Sequence, residues 1–124
     1  MKANATIELL LKHIKQALIH EICAAKSSVI VVQSWFTDQD LLNELQIHAA
    51  AGRRVEVVIA SEDLNGTLDL SQLIKSGGRV KSVARHKLRN TFCVLDNCTV
   101  AVGSYNWTYR GAADTFKNLF LIRN

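Results

Sequence analysis

Two short runs of β-branched residues constrain the fold of this chain more than any other feature. Residues 29–32 read Val-Ile-Val-Val, and residues 55–59 read Val-Glu-Val-Val-Ile. A continuous apolar run of this length predicts a strand that is buried on both faces, as in a sheet covered by helices. Glu56 interrupts the second run and predicts partial exposure of one face of that strand.

Helical patterns precede and separate these runs. Apolar residues recur at steps of three and four over residues 7–25, which predicts an amphipathic helix of about five turns. Thr37 is the predicted N-cap of a second helix, which Gly52 ends. Residues 68–74 predict a short third helix. Strand and helix thus alternate through the first half of the chain.

The second half of the chain predicts mainly strands. Residues 92–95 and 99–102 flank Asp96-Asn97-Cys98, a pattern typical of a hairpin with a short turn. Two further strands are predicted at residues 79–83 and 119–122. The sequence therefore predicts an α/β fold in which helices flank a mixed sheet. The length suits one domain over residues 1–124, and no Pro-rich or low-complexity stretch divides it.

The charge is unevenly distributed along the chain. There are 15 Lys and Arg residues against 11 Asp and Glu residues, a formal net charge of +4. Residues 1–78 hold 7 basic and 9 acidic groups, a balance of −2, whereas residues 79–124 hold 8 basic and 2 acidic groups, a balance of +6. The last third of the chain is therefore where we expect a partner of negative charge to bind.

The cysteines and the first residues bear on the compartment. Cys23, Cys93 and Cys98 are odd in number and lack the CxxC spacing, which argues against a disulfide framework and against a structural zinc site. Charged residues interrupt the N-terminal apolar stretch, which predicts neither a signal peptide nor a membrane span. We therefore expect a cytoplasmic protein without cofactor or metal, because no pair of histidines has ligand spacing either.

The densest group of polar and aromatic residues lies between residues 85 and 118. A predicted strand ends in Gly103-Ser104 and is followed by Asn106. Small polar groups at the end of a strand are common in ligand sites. The alternative is that Ser104 and Asn106 only stabilise a turn.

The segment FCVLDNCTVAVGSYNWT resembles the second half of the HxKxxxxD…GSxN motif of the phospholipase D superfamily. The similarity is greatest to small bacterial members with one motif per chain, including phosphodiesterase-type nucleases. It implies a phospholipase D-like α/β/α sandwich and covers residues 7 to 122. Asp96, Gly103, Ser104, Asn106 and Asn118 match the family pattern.

The positions that carry chemistry in this family differ here. Arg89 and Thr91 stand where the motif has its histidine and its lysine, and Lys117 stands where the family has an acidic residue. The resemblance implies that in active relatives the histidine attacks phosphorus and the motif aspartate steadies it. In this chain we expect Asp96 either to pair with Arg89 or only to organise the hairpin. A guanidinium group stays protonated and cannot act as that nucleophile. We therefore expect a catalytically impaired protein, a pseudoenzyme.

A catalytic histidine in a shifted frame is the alternative. His86 and Lys87 are adjacent, so in a strand they would point to opposite faces, whereas the family spacing of two points both groups to one face. An active phosphodiesterase or endonuclease is therefore the second hypothesis. A regulatory subunit that acts through its dimer surface is the third.

The substitutions favour binding of a phosphate-bearing ligand, with nucleic acid as the leading candidate. We expect the following residues to line the phosphate site: Arg89, Ser104, Asn106, Lys117 and Asn118. Neighbouring cations and aromatic rings would strengthen the site by charge and by base stacking; they are Arg85, Lys87, Arg110, Tyr105, Trp107 and Tyr109. The alternative is that the aromatic residues belong to the core and the cations to a solvated surface.

The single motif has a consequence for assembly. Family members with one motif per chain place two copies across a twofold axis, so that both subunits build one site. The resemblance therefore implies a homodimer, or a heterodimer with a paralogue whose motif is intact.

Overall fold

The two β-branched runs form adjacent parallel strands at the centre of one sheet. A computed structural model of the chain describes residues 5–64, 66, 68–108 and 117–124. In it Val29 lies opposite Val55 and Val31 lies opposite Val57, and all four side chains are buried. The prediction that both runs form strands is therefore confirmed. Burial on both faces is not, because Ile30, Val32 and Val58 on the other face are only half-buried.

Seven strands and three α-helices make up the described part of the chain, with single 3₁₀ turns at Ser61–Asp63 and Arg85–Lys87. The strands are β1 (Thr6–Leu10), β2 (Ser28–Gln33), β3 (Arg54–Ala60), β4 (Arg79–Val83), β5 (Phe92–Leu95), β6 (Thr99–Val102) and β7 (Leu119–Arg123). The helices are α1 (Ile14–Ala24), α2 (Gln39–Ala50) and α3 (Ser71–Lys75).

The strands lie in the order β1-β7-β6-β5-β2-β3-β4. The β2–β3 and β3–β4 pairs are parallel, and the other four pairs are antiparallel. The parallel pairs arise because α2 and α3 carry the chain back to the start of the next strand. The predicted α/β class with a mixed sheet and the predicted hairpin of β5 and β6 are confirmed.

One face of the sheet meets the described helices and forms the core. The first two helices bury Leu18, Ile22 and Leu41 against inward-facing residues such as Val31. On the opposite face Ile7 is 70% exposed and Phe120 is 38% exposed. No helix in these described ranges is long and apolar enough to cross a membrane.

The predicted first helix over residues 7–25 is wrong in its first two turns. Thr6–Leu10 forms the edge strand β1, which pairs with β7 from Thr6↔Arg123 to Leu10↔Leu119. His13 then adopts a left-handed conformation with φ 53°, and α1 begins at Ile14. The local pattern of apolar residues fits a helix as well as an edge strand. Long-range pairing with β7 decides in favour of the strand.

The second helix begins one residue later than predicted. Asp38 is its N-cap in place of Thr37, and the Asp38 carboxylate accepts hydrogen bonds from the N–H groups of Asp40 at 2.9 Å and Leu41 at 3.2 Å. Gly52, with φ 84°, lies just beyond the C-cap, as predicted for the residue that ends this helix.

The β5–β6 turn is fastened to the start of β2 by one carboxylate. Asp96 and Asn97 have φ values of 55° and 57°, as a tight hairpin turn requires. The Asp96 carboxylate accepts hydrogen bonds from the N–H groups of Lys26, Ser27 and Ser28 at 2.7–3.0 Å and from the Ser27 hydroxyl at 3.0 Å. Burial raises the pKa of Asp96, but these donors outweigh it and hold that pKa well below its usual range.

Removing the charge of Asp96 should make stability less dependent on pH. We expect Asp96→Asn to lower the free energy of unfolding at pH 7 by about 1.5–3 kcal/mol, because hydrogen bonds to a charged acceptor are lost. The folded pKa is depressed, so this stabilisation is present above the unfolded pKa of about 3.9 and is lost as the pH falls through the folded value. The difference between the two proteins, measured by urea unfolding from pH 7 to pH 2, should therefore shrink below about pH 4.

Asn97→Gly is the matched control, since it keeps the turn conformation and the Asp96 carboxylate. Its stability should follow the wild-type pH dependence. A constant difference between wild type and Asp96→Asn across that pH range would contradict the role given to the carboxylate.

Candidate functional site

Most of the residues that match the family pattern lie at one edge of the sheet. The parallel strands β2, β3 and β4 all end at this edge, β6 ends there as well, and β5 and β7 begin there. Ligands of open α/β sheets bind beyond the carboxyl ends of the parallel strands. We call this side of the molecule the carboxyl edge.

Hydrogen bonds between the end of β6 and the start of β7 build the centre of the site. The Ser104 N–H donates to Asn118 Oδ1 at 3.2 Å, and the Asn118 N–H donates to Ser104 Oγ at 3.0 Å. The Tyr105 N–H donates to the Asn118 carbonyl at 3.2 Å. Ser104 and Asn118, both predicted site residues, are thus brought together.

Gly103 is required for this close approach. A Cβ atom at position 103 would lie 2.4 Å from the carbonyl oxygen and 2.8 Å from Oδ1 of Asn118. Any side chain would therefore push the start of β7 away from Ser104. The glycine of the GSxN segment therefore has a steric role here.

Trp107 and Tyr105 anchor the loop after β6 from inside the protein. Trp107 is 2% exposed, its carbonyl accepts from the N–H groups of Thr37 at 2.8 Å and Asp38 at 2.9 Å, and its ring packs edge-to-face on Phe36 with centroids 5.2 Å apart. Tyr105 is 3% exposed, and burial and the nearby Asp38 charge raise its pKa to about 12, against the lowering effect of Lys15. The expectation that these two rings stack on bases is wrong, because neither presents a face to solvent.

A buried ion pair lies beside these rings. The Asp38 side chain is 0% exposed and its Oδ2 lies 3.0 Å from Lys15 Nζ, which also contacts Asp40 Oδ2 at 2.7 Å. Burial lowers the pKa of Lys15, but the hydrogen bonds and charges of both aspartates outweigh it and raise that pKa above its usual value. Sequence reasoning missed this pair, because its partners are far apart in the chain and neither belongs to the motif.

Arg89 and Thr91 lie in the irregular segment that leads into β5, at the carboxyl edge. Arg89 is exposed and makes no hydrogen bond or ion pair with any residue that the structure describes. Thr91 and Lys117 are half-buried, as is Asn106. The pairs Phe92↔Val102 and Val102↔Phe120 place these segments next to the Ser104–Asn118 hydrogen bonds.

Asp96 lies away from the other motif positions. It follows Leu95 at the turn end of the hairpin, whereas Arg89 precedes Phe92 at the open end. Leu95 and Phe92 alone are about 10 Å apart along the strand. Asp96 does not pair with Arg89, the first of the two roles expected for it. Its carboxylate is bonded to the start of β2, which agrees with the second role, that of organising the hairpin.

Arg85 serves the structure and does not add a free cation to the site. Its Nη2 lies 2.5 Å from Asp63 Oδ1, and its Nε donates to the Ser34 carbonyl at 3.0 Å. His86 and Lys87 are exposed in the same 3₁₀ turn, so the strand geometry assumed for His86 is wrong. Tyr109 and Arg110, the remaining residues expected near the site, lie outside the described residues.

The donor set does not indicate a metal centre. Across residues 5–64, 66, 68–108 and 117–124 there is no group of three or more His, Cys, Asp or Glu side chains able to hold a metal ion. The described site offers hydroxyl, amide and cationic groups, which suit an anion.

Comparison with protein families identifies the family of this chain. Residues 18–124 match the family model described as "Cardiolipin synthase, PLD-like domain". The chain belongs to the phospholipase D-like (PLD-like) family. A search of the curated proteins gave no match.

Solved structures share this fold at low sequence identity. The phospholipase D family member Nuc from Salmonella typhimurium has a TM-score of 0.84 at 20% identity, covering 98% of this chain and 84% of that one. NucT from Helicobacter pylori has a TM-score of 0.80 at 18% identity, covering 98% and 87%. TrmBL2, described as an archaeal chromatin protein with a novel mode of DNA binding, has a TM-score of 0.70 at 12% identity, covering 98% and 46%.

Proposed function

We propose that this PLD-like protein is a catalytically impaired member of its family that binds a phosphate-bearing ligand. Nucleic acid is the leading candidate for that ligand. The observation that carries the proposal is Arg89, an exposed cation with no described partner, beside the intact hydrogen bonds of Ser104 and Asn118. The site thus keeps its frame and changes its reacting groups.

The substituted side chains support both parts of the proposal, the impaired catalysis and the binding of a phosphate-bearing ligand. Arg89 has no lone pair with which to attack phosphorus, and Thr91 lacks the positive charge of the motif lysine. Lys117 adds a cation where the family pattern has an acid. A guanidinium group binds phosphate oxygens in a bidentate manner, so the change that removes the nucleophile strengthens anion binding.

The relatives support a nucleic-acid ligand by analogy of fold. TrmBL2 is described by its mode of DNA binding, and it shares this fold although the two sequences are only 12% identical. The balance of +6 in residues 79–124 agrees with a polyanionic partner. The three cysteines are free, which agrees with a cytoplasmic setting.

Charge removal at the site should weaken nucleic-acid binding more than charge removal elsewhere. We expect Arg89→Ala to lower the affinity for a single-stranded oligonucleotide by about 10- to 100-fold, because a charge-assisted contact is lost. The slope of log K against log salt should decrease in magnitude by about one phosphate contact. Fluorescence anisotropy at a series of salt concentrations measures both quantities.

Arg79→Ala is the matched control for that experiment. Arg79 is an exposed arginine at the start of β4, at the opposite end of the sheet from the carboxyl edge. Its removal changes the net charge equally and should leave the salt slope nearly unchanged. Equal effects of the two substitutions would mean that binding is a property of the whole surface and not of this site.

An active phosphodiesterase is the second candidate, favoured by His86, which is exposed in the turn that follows β4. On our proposal, wild type does not hydrolyse bis(p-nitrophenyl) phosphate. The triple variant Arg89→His, Thr91→Lys, Lys117→Glu should hydrolyse it, since the frame of Ser104 and Asn118 is already in place. Hydrolysis by wild type that disappears in His86→Ala would instead establish the enzyme.

The assembly proposed for this site is a homodimer, or a heterodimer with an intact paralogue. Each chain supplies the motif residues Ser104, Asn106 and Asn118 once, and related single-motif proteins complete one site from two subunits. Light scattering coupled to size-exclusion chromatography should give twice the monomer mass of 13.8 kDa for the purified protein. A monomer at high concentration, with no partner recovered from the source cell, would contradict both forms of the dimer and the regulatory role.

A further inference from the structure

Trp35 is a large aromatic residue that is exposed at the carboxyl edge. It lies two residues after the end of β2 and is 46% exposed. The other tryptophan of the chain, Trp107, is 2% exposed and packs on Phe36. A large aromatic side chain that stays in water at a ligand-binding edge calls for an explanation other than core packing.

Arg85 supports one face of the Trp35 ring. The Arg85 guanidinium carbon lies 3.5 Å from the ring centroid. The guanidinium is itself held by Asp63 at 2.5 Å and by the Ser34 carbonyl at 3.0 Å. The ring is therefore fixed from behind, and its exposed surface belongs to its other face and its edges. A ring held in this way is prepared to stack on a planar ligand at little cost in side-chain entropy.

The path of the chain brings Arg89 to the same edge of the sheet as Trp35. The 84–91 segment connects β4 to β5 and so passes the ends of β3 and β2, which lie between them in the sheet. The antiparallel pairing of β2 with β5 ends at Val32↔Phe92. The segments beyond that pair, on to Trp35 after β2 and back to Arg89 before β5, therefore both start from the carboxyl edge.

We infer that Trp35 is a base-stacking subsite for single-stranded nucleic acid, in which an unpaired base lies on the exposed face of the ring and an adjoining phosphate lies at Arg89. The inference rests on the proposed function and names its ligand class. A duplex does not fit this subsite, because its bases are already stacked on their neighbours, whereas the bases of a single strand are available. Arg85 is neutralised by Asp63 and acts on the base only through the ring.

Two matched oligonucleotides separate stacking from phosphate binding. One is oligothymidylate of about eight nucleotides, within the range of single-strand site sizes, and the other is an abasic strand with the same number of phosphates. Wild type should bind oligothymidylate more tightly than the abasic strand, with quenching of intrinsic fluorescence. That signal reports on Trp35, since Trp107 is buried.

Trp35→Ala should weaken binding of oligothymidylate by about 5- to 150-fold and leave binding of the abasic strand unchanged. Ile74→Ala is the control, because Ile74 is an apolar side chain of α3 that is 54% exposed. It should change neither affinity. If the alanine variant does not fold, Trp35→Phe and Trp35→Leu replace it. The phenylalanine variant should retain a preference for base-bearing DNA that the leucine variant lacks.

The possible results separate this inference from the function on which it rests. If wild type binds neither strand, the proposed function fails. If wild type binds both strands equally, or if a substitution at Trp35 affects both strands equally, the stacking subsite is overturned while phosphate binding stands. Only a loss confined to the base-bearing strand supports the inference.

Discussion

The site depends on the contact between the end of β6 and the start of β7. Gly103 lets the Asn118 carbonyl approach to a distance that a side chain would forbid, and Ser104 and Asn118 then exchange two hydrogen bonds. These bonds hold the hydroxyl and the amide at the carboxyl edge. The same loop continues to Trp107, whose carbonyl accepts two backbone N–H groups at the start of α2. The loop is therefore fixed at both ends by backbone contacts.

On the proposed function, this arrangement explains how a site loses its reacting groups and keeps its shape. The residues that build the frame act through sterics and through hydrogen bonds from backbone N–H groups to side-chain oxygens, so Gly103, Ser104 and Asn118 are constrained whether or not a reaction takes place. Arg89, by contrast, makes no hydrogen bond or ion pair with a residue that the structure describes, so the bonds of this frame do not depend on its side chain. A histidine there could be exchanged for arginine without cost to the frame.

Elements with a strong local sequence pattern were predicted correctly, and elements with an ambiguous pattern were not. The β-branched runs of β2 and β3 were correctly predicted as strands, because a continuous run of such residues favours a pleated strand. Only one face of each run is fully buried, so the predicted burial on both faces is wrong. Residues 7–10 fit either a helix or an edge strand, and the partner that decides between them, β7, lies more than 100 residues away. The GSxN spacing identified the residues at the end of β6 that take part in the frame of the site. Spacing alone gives no burial, so it could not show that Trp107 and Tyr105 point inward or that Asp96 serves β2.

The asymmetry of charge along the sequence is smaller in space than the count implies. Two arginines of the basic third are paired with acids from residues 1–78: Arg85 with Asp63, and Arg123 with Glu8 and Glu21. Because these acids neutralise the arginines where they meet, the balance of +6 is not spread over a uniformly basic surface. The carboxyl edge therefore differs from the rest of the surface in its arginines and in the residues that surround them. One arginine is held under an aromatic ring and a second is exposed at the same edge of the sheet, and the proposed stacking subsite rests on these two residues.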